Sequence, residues 1–199
     1  MKKIVYSLNL GVIGLKDYIK TFINNIIKNN SNHNTITIEK NQINFSLMFK
    51  DVLFKIKIHL FEKIKHLLND KNLTQDLDSI LFLININKLK NIRKYKRKSI
   101  QKINHIQIKK GNHILIGVNQ DKIEINNEII EKMIERSKIL NMLYCFLIED
   151  ENKDIGSIFE TILDDYVFNF KYSKPDLYEL AQLYSKEIQK KPSSFIFLS

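Results

Sequence analysis

The sequence predicts an α/β protein: a three-layer α/β/α domain with a mostly parallel six-stranded sheet, one antiparallel hairpin, and helices on both faces. Three observations carry that prediction. The chain opens, within residues 3–22, on an apolar run, a loop with two glycines and an amphipathic helix. Apolar runs of strand length then alternate with helical patterns along the rest of the chain. One close pair of strand signals, separated only by Lys50 and Asp51, reads as a hairpin.

In order, a first strand is expected over residues 4–8, buried on both faces, followed by the loop that carries Gly11 and Gly14. A helix follows over residues 15–28, with Ile19, Phe22, Ile23, Ile26 and Ile27 on one apolar face. The polar tract 29–34 is a loop. Residues 44–49 and 52–60 read as the paired strands. In the second, Phe54, Ile56 and Ile58 alternate with Lys55, Lys57 and His59.

A short helix at 61–69 and a polar loop at 70–78 come next. The continuous apolar run 79–86 has the composition of a central parallel strand. Residues 88–108 are charged and helical in places; 113–118 is another buried strand. Asn126 or Asn127 caps a helix to about residue 140, with Ile130, Met133, Ile134 and Leu140 inward. The last strand is 142–148.

A long helix over 154–170 presents Ile155, Ile158, Phe159, Ile162, Tyr166 and Phe170. Pro175 opens a further helix to about 189, with a stripe of Leu177, Leu180, Ala181, Tyr184 and Ile188. The expected organisation is a domain over 1–172 and a C-terminal helix and tail over 173–199. Right-handed crossovers would put the working loops at the carboxyl ends of the parallel strands.

Composition bounds the partners. The chain has 199 residues, 44% of them hydrophobic, enough for one sizeable core. The formal charge of +10 suits an acidic partner, although the lysines are spread widely, as biased coding alone would leave them. Cys145 is the single cysteine and lies in an apolar run, so it reads as a buried small hydrophobe. No run approaches the ~20 apolar residues of a membrane span, and no secretory pattern opens the chain. A soluble, cytoplasmic protein is expected.

The opening stretch also carries a trace of phosphate-binding chemistry. The phosphate-cradling pattern G-x-x-x-x-G-K-[ST] needs close backbone approach, a lysine for the terminal phosphates and a hydroxyl for magnesium. In register it reads Asn9, four residues, Gly14, Leu15, Lys16. With this motif and the element order, residues 3–170 resemble the Ras-like small GTPases. That family opens with strand, phosphate loop and helix, continues with a two-stranded hairpin, and ends with three strand–helix units.

The resemblance implies a nucleotide site at Gly11, Gly14, Lys16 and Asp121. It also implies that the site is damaged. The D-x-x-G motif falls on Leu60, Phe61, Glu62 and Lys63. N-K-x-D falls on Val118, Asn119, Gln120 and Asp121, where only the base-reading Asp survives. S-A-K falls on Ile148, Glu149 and Asp150.

The implied function is a pseudo-GTPase: a protein-interaction or scaffold module with no catalytic residues and no metal site, and no cofactor bound. One alternative is a divergent GTPase that still binds GTP or GDP with magnesium. Another is a basic binder of anionic membrane or nucleic acid through residues 88–102. There Lys90, Arg93, Lys94, Arg97 and Lys98 form one stripe if the segment is helical.

Overall fold

The computed structural model describes residues 6–30, 36–87, 89, 113–148 and 154–189. Its spine is β1 (Tyr6–Ile13), whose last six residues run buried, half-buried, then buried four times in succession. That near-continuous burial follows from its place inside the sheet. The strand order is β2-β3-β4-β1-β5-β6-β7, seven strands in all. The strands other than β1 are β2 (Thr37–Glu39), β3 (Gln42–Phe49), β4 (Val52–Phe61), β5 (Ser79–Asn85), β6 (His113–Val118) and β7 (Tyr144–Ile148). β1 pairs in parallel with β4 and β5, and β5, β6 and β7 continue in parallel. β2, β3 and β4 pair antiparallel.

The expected six strands thus become seven. The addition, β2, pairs Thr37 with Asn44 and Glu39 with Gln42. All three of its residues are exposed, so no buried face leaves a hydrophobic pattern to read. The hairpin falls where expected. Lys50 and Asp51 both take positive φ, 46° and 61°, the two-residue turn whose twist matches antiparallel strands.

Six helices lie among the described residues: α1 (Lys16–Asn30), α2 (Ile64–Asn69), α3 (Lys71–Asp76), α4 (Asn127–Ile139), α5 (Asp154–Ser173) and α6 (Pro175–Gln189). Two apolar clusters form on opposite sides of the strands. Leu81 and Leu83 of β5 join one with Phe22, Ile26, Ile158, Phe159 and Ala181. The alternate residues Ile80, Phe82 and Ile84 join the other with Leu67, Leu77, Met133 and Leu140. The period of two along β5 produces this split, and it explains why the strand is apolar throughout.

Several expectations change at this level. The first strand does not end at residue 8; it continues through Gly11, Val12 and Ile13. These pair with His59, Leu60 and Phe61 on one side and with Ile80, Leu81 and Phe82 on the other. The polar stretch 70–78 holds a helix, α3, because Asp70 caps it by accepting from Leu73 N–H at 3.0 Å. Thr74 Oγ1 adds a bond to Leu67 O at 2.9 Å. Of the expected inward face, Met133 in α4 and Leu140 just past its end are buried, while Ile130 and Ile134 face solvent; Ser137 is buried as well. Asn126 does cap α4, accepting from Ile129 N–H at 3.1 Å.

α6 buries Tyr178, Ala181 and Ser185, which are three and four residues apart and line one face. Ser185 Oγ accepts from Leu53 N–H at 2.8 Å and donates to Ala181 O at 2.7 Å. Gln182 reaches Lys50 O at 3.3 Å. The helix therefore seats on the turn end of the β3–β4 hairpin. Of the expected stripe, Ala181 is buried and Tyr184 and Ile188 are half-buried, while Leu177 and Leu180 are exposed, as is Leu183 beside them. A hydroxyl that caps a strand amide outranks a leucine at the contact, since a buried N–H without a partner costs about 1–3 kcal/mol. Among the described residues, no helix is long and apolar enough to cross a membrane.

Candidate functional site

The sheet topology brings Gly14, Lys16 and Asp121 to one edge, at the carboxyl ends of β1, β5 and β6. Gly11 is not part of that edge. It sits inside β1, paired with His59 and Ile80, and Leu77 lies over it: a Cβ there would come within 2.9 Å of Leu77 Cδ1. Only Gly14 and Leu15 separate β1 from α1. Gly14 N–H donates to Phe61 O at 3.1 Å, and an added Cβ would stand 2.8 Å from Leu83 Cβ. Its glycine is explained by close strand packing, and its φ is not positive. Lys16 opens α1 with an exposed side chain.

Asp121 stands in the turn after β6. Its carboxylate accepts from Asn85 Nδ2 at 3.4 Å and from Asn87 Nδ2. Asn85 is buried and orders the next turn by accepting from Asn87 N–H at 2.7 Å. Asn119 folds the loop onto itself. It accepts from Ile123 N–H at 3.0 Å and donates through Nδ2 to Ile123 O at 2.8 Å. No motif in the sequence marks Asn85 or Asn87. The available signal is the asparagine at 85 inside an otherwise apolar run, a polar group that must find a buried partner.

The rest of the expected site is distributed. Phe61 ends β4 and is buried, and Lys63 precedes α2. Glu149 and Asp150 lie outside the described residues, as do Lys90, Arg93, Lys94, Arg97 and Lys98. Burial raises the Cys145 thiol to about 11, which keeps it protonated and poorly nucleophilic at neutral pH. Among the described residues, no group of three His, Cys, Asp or Glu side chains converges as metal ligands.

A second feature lies at the opposite, amino end of the same strands. A cavity of about 170 Å³ is bounded by the first residues of β1, β5 and β7 (Tyr6, Ser79 and Tyr144) and by α5 through Asp165, Tyr166 and Phe170. Tyr6 meets Tyr166 edge-on at 6.1 Å between ring centres and Phe170 at 3.9 Å. Tyr144 donates to Asp165 Oδ2 at 2.6 Å. Asp78 is held by Asn9 N–H at 2.7 Å.

All three tyrosines are pushed up to about 12. Burial is the cause at Tyr6 and the main one at Tyr166, while the hydrogen bond to Asp165 leads at Tyr144. They remain neutral phenols. No sequence motif joins these residues; only the parallel register and the packing of α5 do.

No protein-family model and no curated protein matches this chain.

Proposed function

We propose that the chain is a Ras-like, three-layer module that acts by binding another protein, with little or no GTP hydrolysis. The succession of strand, helix, hairpin and three parallel crossover strands supports the Ras-like part of this reading. One observation carries the functional part. The backbone over Gly11, Val12 and Ile13 is paired on both sides within the sheet, and Gly14 N–H is taken by Phe61 O. A phosphate cradle works by aiming unpaired backbone N–H groups at the anion. Here those groups serve the sheet. The surviving Asp121 carboxylate is held in place by Asn85 and Asn87, both on Oδ2.

Exposed apolar groups support a binding role. Phe168 and Tyr172 on α5 are 62% and 71% exposed with ring centres 4.6 Å apart, and Leu180 and Leu183 project from α6. Side chains of this size left in water mark interaction surfaces when they cluster.

Titration with GTP and magnesium tests the reading. The expected result is no saturable binding at micromolar nucleotide. Micromolar, magnesium-dependent binding would overturn it. If that binding also preferred GTP to ATP and disappeared in Asp121→Ala, a divergent GTPase would replace it.

A further inference from the structure

The two edges of the sheet are built differently. β2 closes one edge with Thr37, Ile38 and Glu39, all exposed, and Lys40 follows at once. A short strand that carries charge discourages further pairing. β7 closes the other edge with Tyr144–Ile148, a run with no charge and no proline. It pairs with β6 on one side and, among the described residues, with no strand on the other. Alternate peptide units of such a strand point N–H and C=O away from the sheet. Tyr144, Cys145, Phe146 and Leu147 are only half-buried, whereas β6 is buried from Ile114 onward, because β7 lacks the neighbour that β6 has.

α4 adds apolar surface beside this open edge. It lies across β6 and β7, and Met133 closes on Gly117 of β6 together with Leu147 of β7. Ile130 and Ile134 each precede a buried residue, Met133 and Ser137, by three positions, so they share one flank of the buried face. In the right-handed crossover that joins parallel neighbours, that flank faces outward past β7. Both side chains are left in water, 39% and 42% exposed.

We propose that this edge joins two copies of the chain. β7 pairs antiparallel with β7 of the second copy across a two-fold axis at Phe146, and α4 packs on α4 of that copy through Ile130 and Ile134. Spacing favours a copy over a lone strand from another protein. Neighbouring strands stand about 4.8 Å apart. α4 lies over the seam of β6 and β7, half a strand spacing inside β7, and the axis lies half a spacing outside it. The two α4 axes then stand roughly 9–10 Å apart, which is the distance at which helices pack. A lone added strand would fill the edge and leave Ile130 and Ile134 in water. The surface brings no like charges together, although the chain has a formal charge of +10. The inference is independent of the function proposed above, which uses the exposed groups of α5 and α6.

Sedimentation of the full chain over a concentration series tests it. A reversible dimer is expected; a monomer at every concentration up to about 1 mM overturns the proposal. Ile134→Lys and Ile130→Lys, at positions already exposed in one copy, should each weaken the dimer at least roughly tenfold, because the two-fold axis removes two isoleucines at once. Ile38→Lys, on the opposite edge, should leave it unchanged. Leu147→Cys reads the strand pairing. With the axis at Phe146, position 147 faces Cys145 of the second copy at about 4.5–5.5 Å between Cα atoms, within disulfide reach. Mild oxidation should link this variant into covalent dimers faster than the unaltered chain. Thermal unfolding of each variant establishes that it is folded. An undiminished dimer in folded Ile134→Lys and Ile130→Lys, loss of the dimer in Ile38→Lys, or no gain in cross-linking overturns the proposal.

Discussion

The two ends of this sheet solve opposite problems with the same strands. At the carboxyl end, the backbone closes on itself. Gly14 lies against Leu83, Leu77 covers Gly11, and Asp121 is tied to Asn85 and Asn87. At the amino end, bulky rings at the starts of β1 and β7 and on α5 hold space open around two acids. The difference teaches that small residues do not by themselves make a cradle. Glycine lets elements approach, and the approach fills the room a ligand would need. Tyrosine and phenylalanine keep elements apart at one edge and leave a cavity.

The largest expected effect comes from removing the support of the open end. Phe54 is fully buried and faces Tyr6 at 5.9 Å and Tyr166 at 6.2 Å. Phe54→Ala should lower the unfolding free energy in urea by about 3–5 kcal/mol. A loss of under about 1 kcal/mol would mean that the rings do not brace that end.

The closed end comes next. If Gly14 serves packing, Gly14→Ala should cost about 1–3 kcal/mol by driving Cβ into Leu83. The same urea titration reads it, and an unchanged midpoint would return Gly14 to an open loop.

Acid gives a smaller comparison, with one histidine towards each end of the sheet. His113 begins β6 and His59 pairs with Gly11, and both are shifted below the ordinary 6.5. Burial is the cause at His113. At His59 burial leads and Lys57 adds to it, while Asp70 opposes. The folded protein therefore keeps both imidazoles neutral while the unfolded chain takes up protons near 6.5. Their contribution to stability is complete above that pH and is lost as pH falls through the lower folded values. His113→Leu should flatten the acid limb of a stability–pH curve more than His59→Gln does, because His113 Nε2 is buried while Asp70 offsets part of the shift at His59. The reverse order would mean that the carboxyl end is the drier one.

Much of the fold is legible in the chain because burial leaves periodic marks. The β5 run, the β6 run, the β3–β4 hairpin at Lys50 and Asp51, and the face of α1 through Ile19, Phe22 and Ile26 each carry such a mark. Elements without a buried stripe are harder to see. β2 is fully exposed, and α3 is held by the Asp70 cap and by the Thr74 hydroxyl bonded back to Leu67 O. The outward turn of Leu180 and the inward turn of Ser185 depend on a partner strand far away in sequence.

The candidate sites divide in the same way. The family resemblance points to Asp121 and the glycines, because its motifs are local patterns. What those residues do could not be named so. Whether Gly11 lies in a loop or a strand depends on β4 and β5 arriving on either side, and whether Asp121 is available depends on where β5 ends. The tyrosine cavity has no local pattern at all; its parts come from β1, β7 and α5. The sequence by itself determined the α/β class, the hairpin and the apolar strands, since alternation and burial are encoded residue by residue. Only the tertiary structure decided which end of the sheet is closed and which is open. That choice rests on contacts between residues distant in the chain, where steric fit outweighs any local preference.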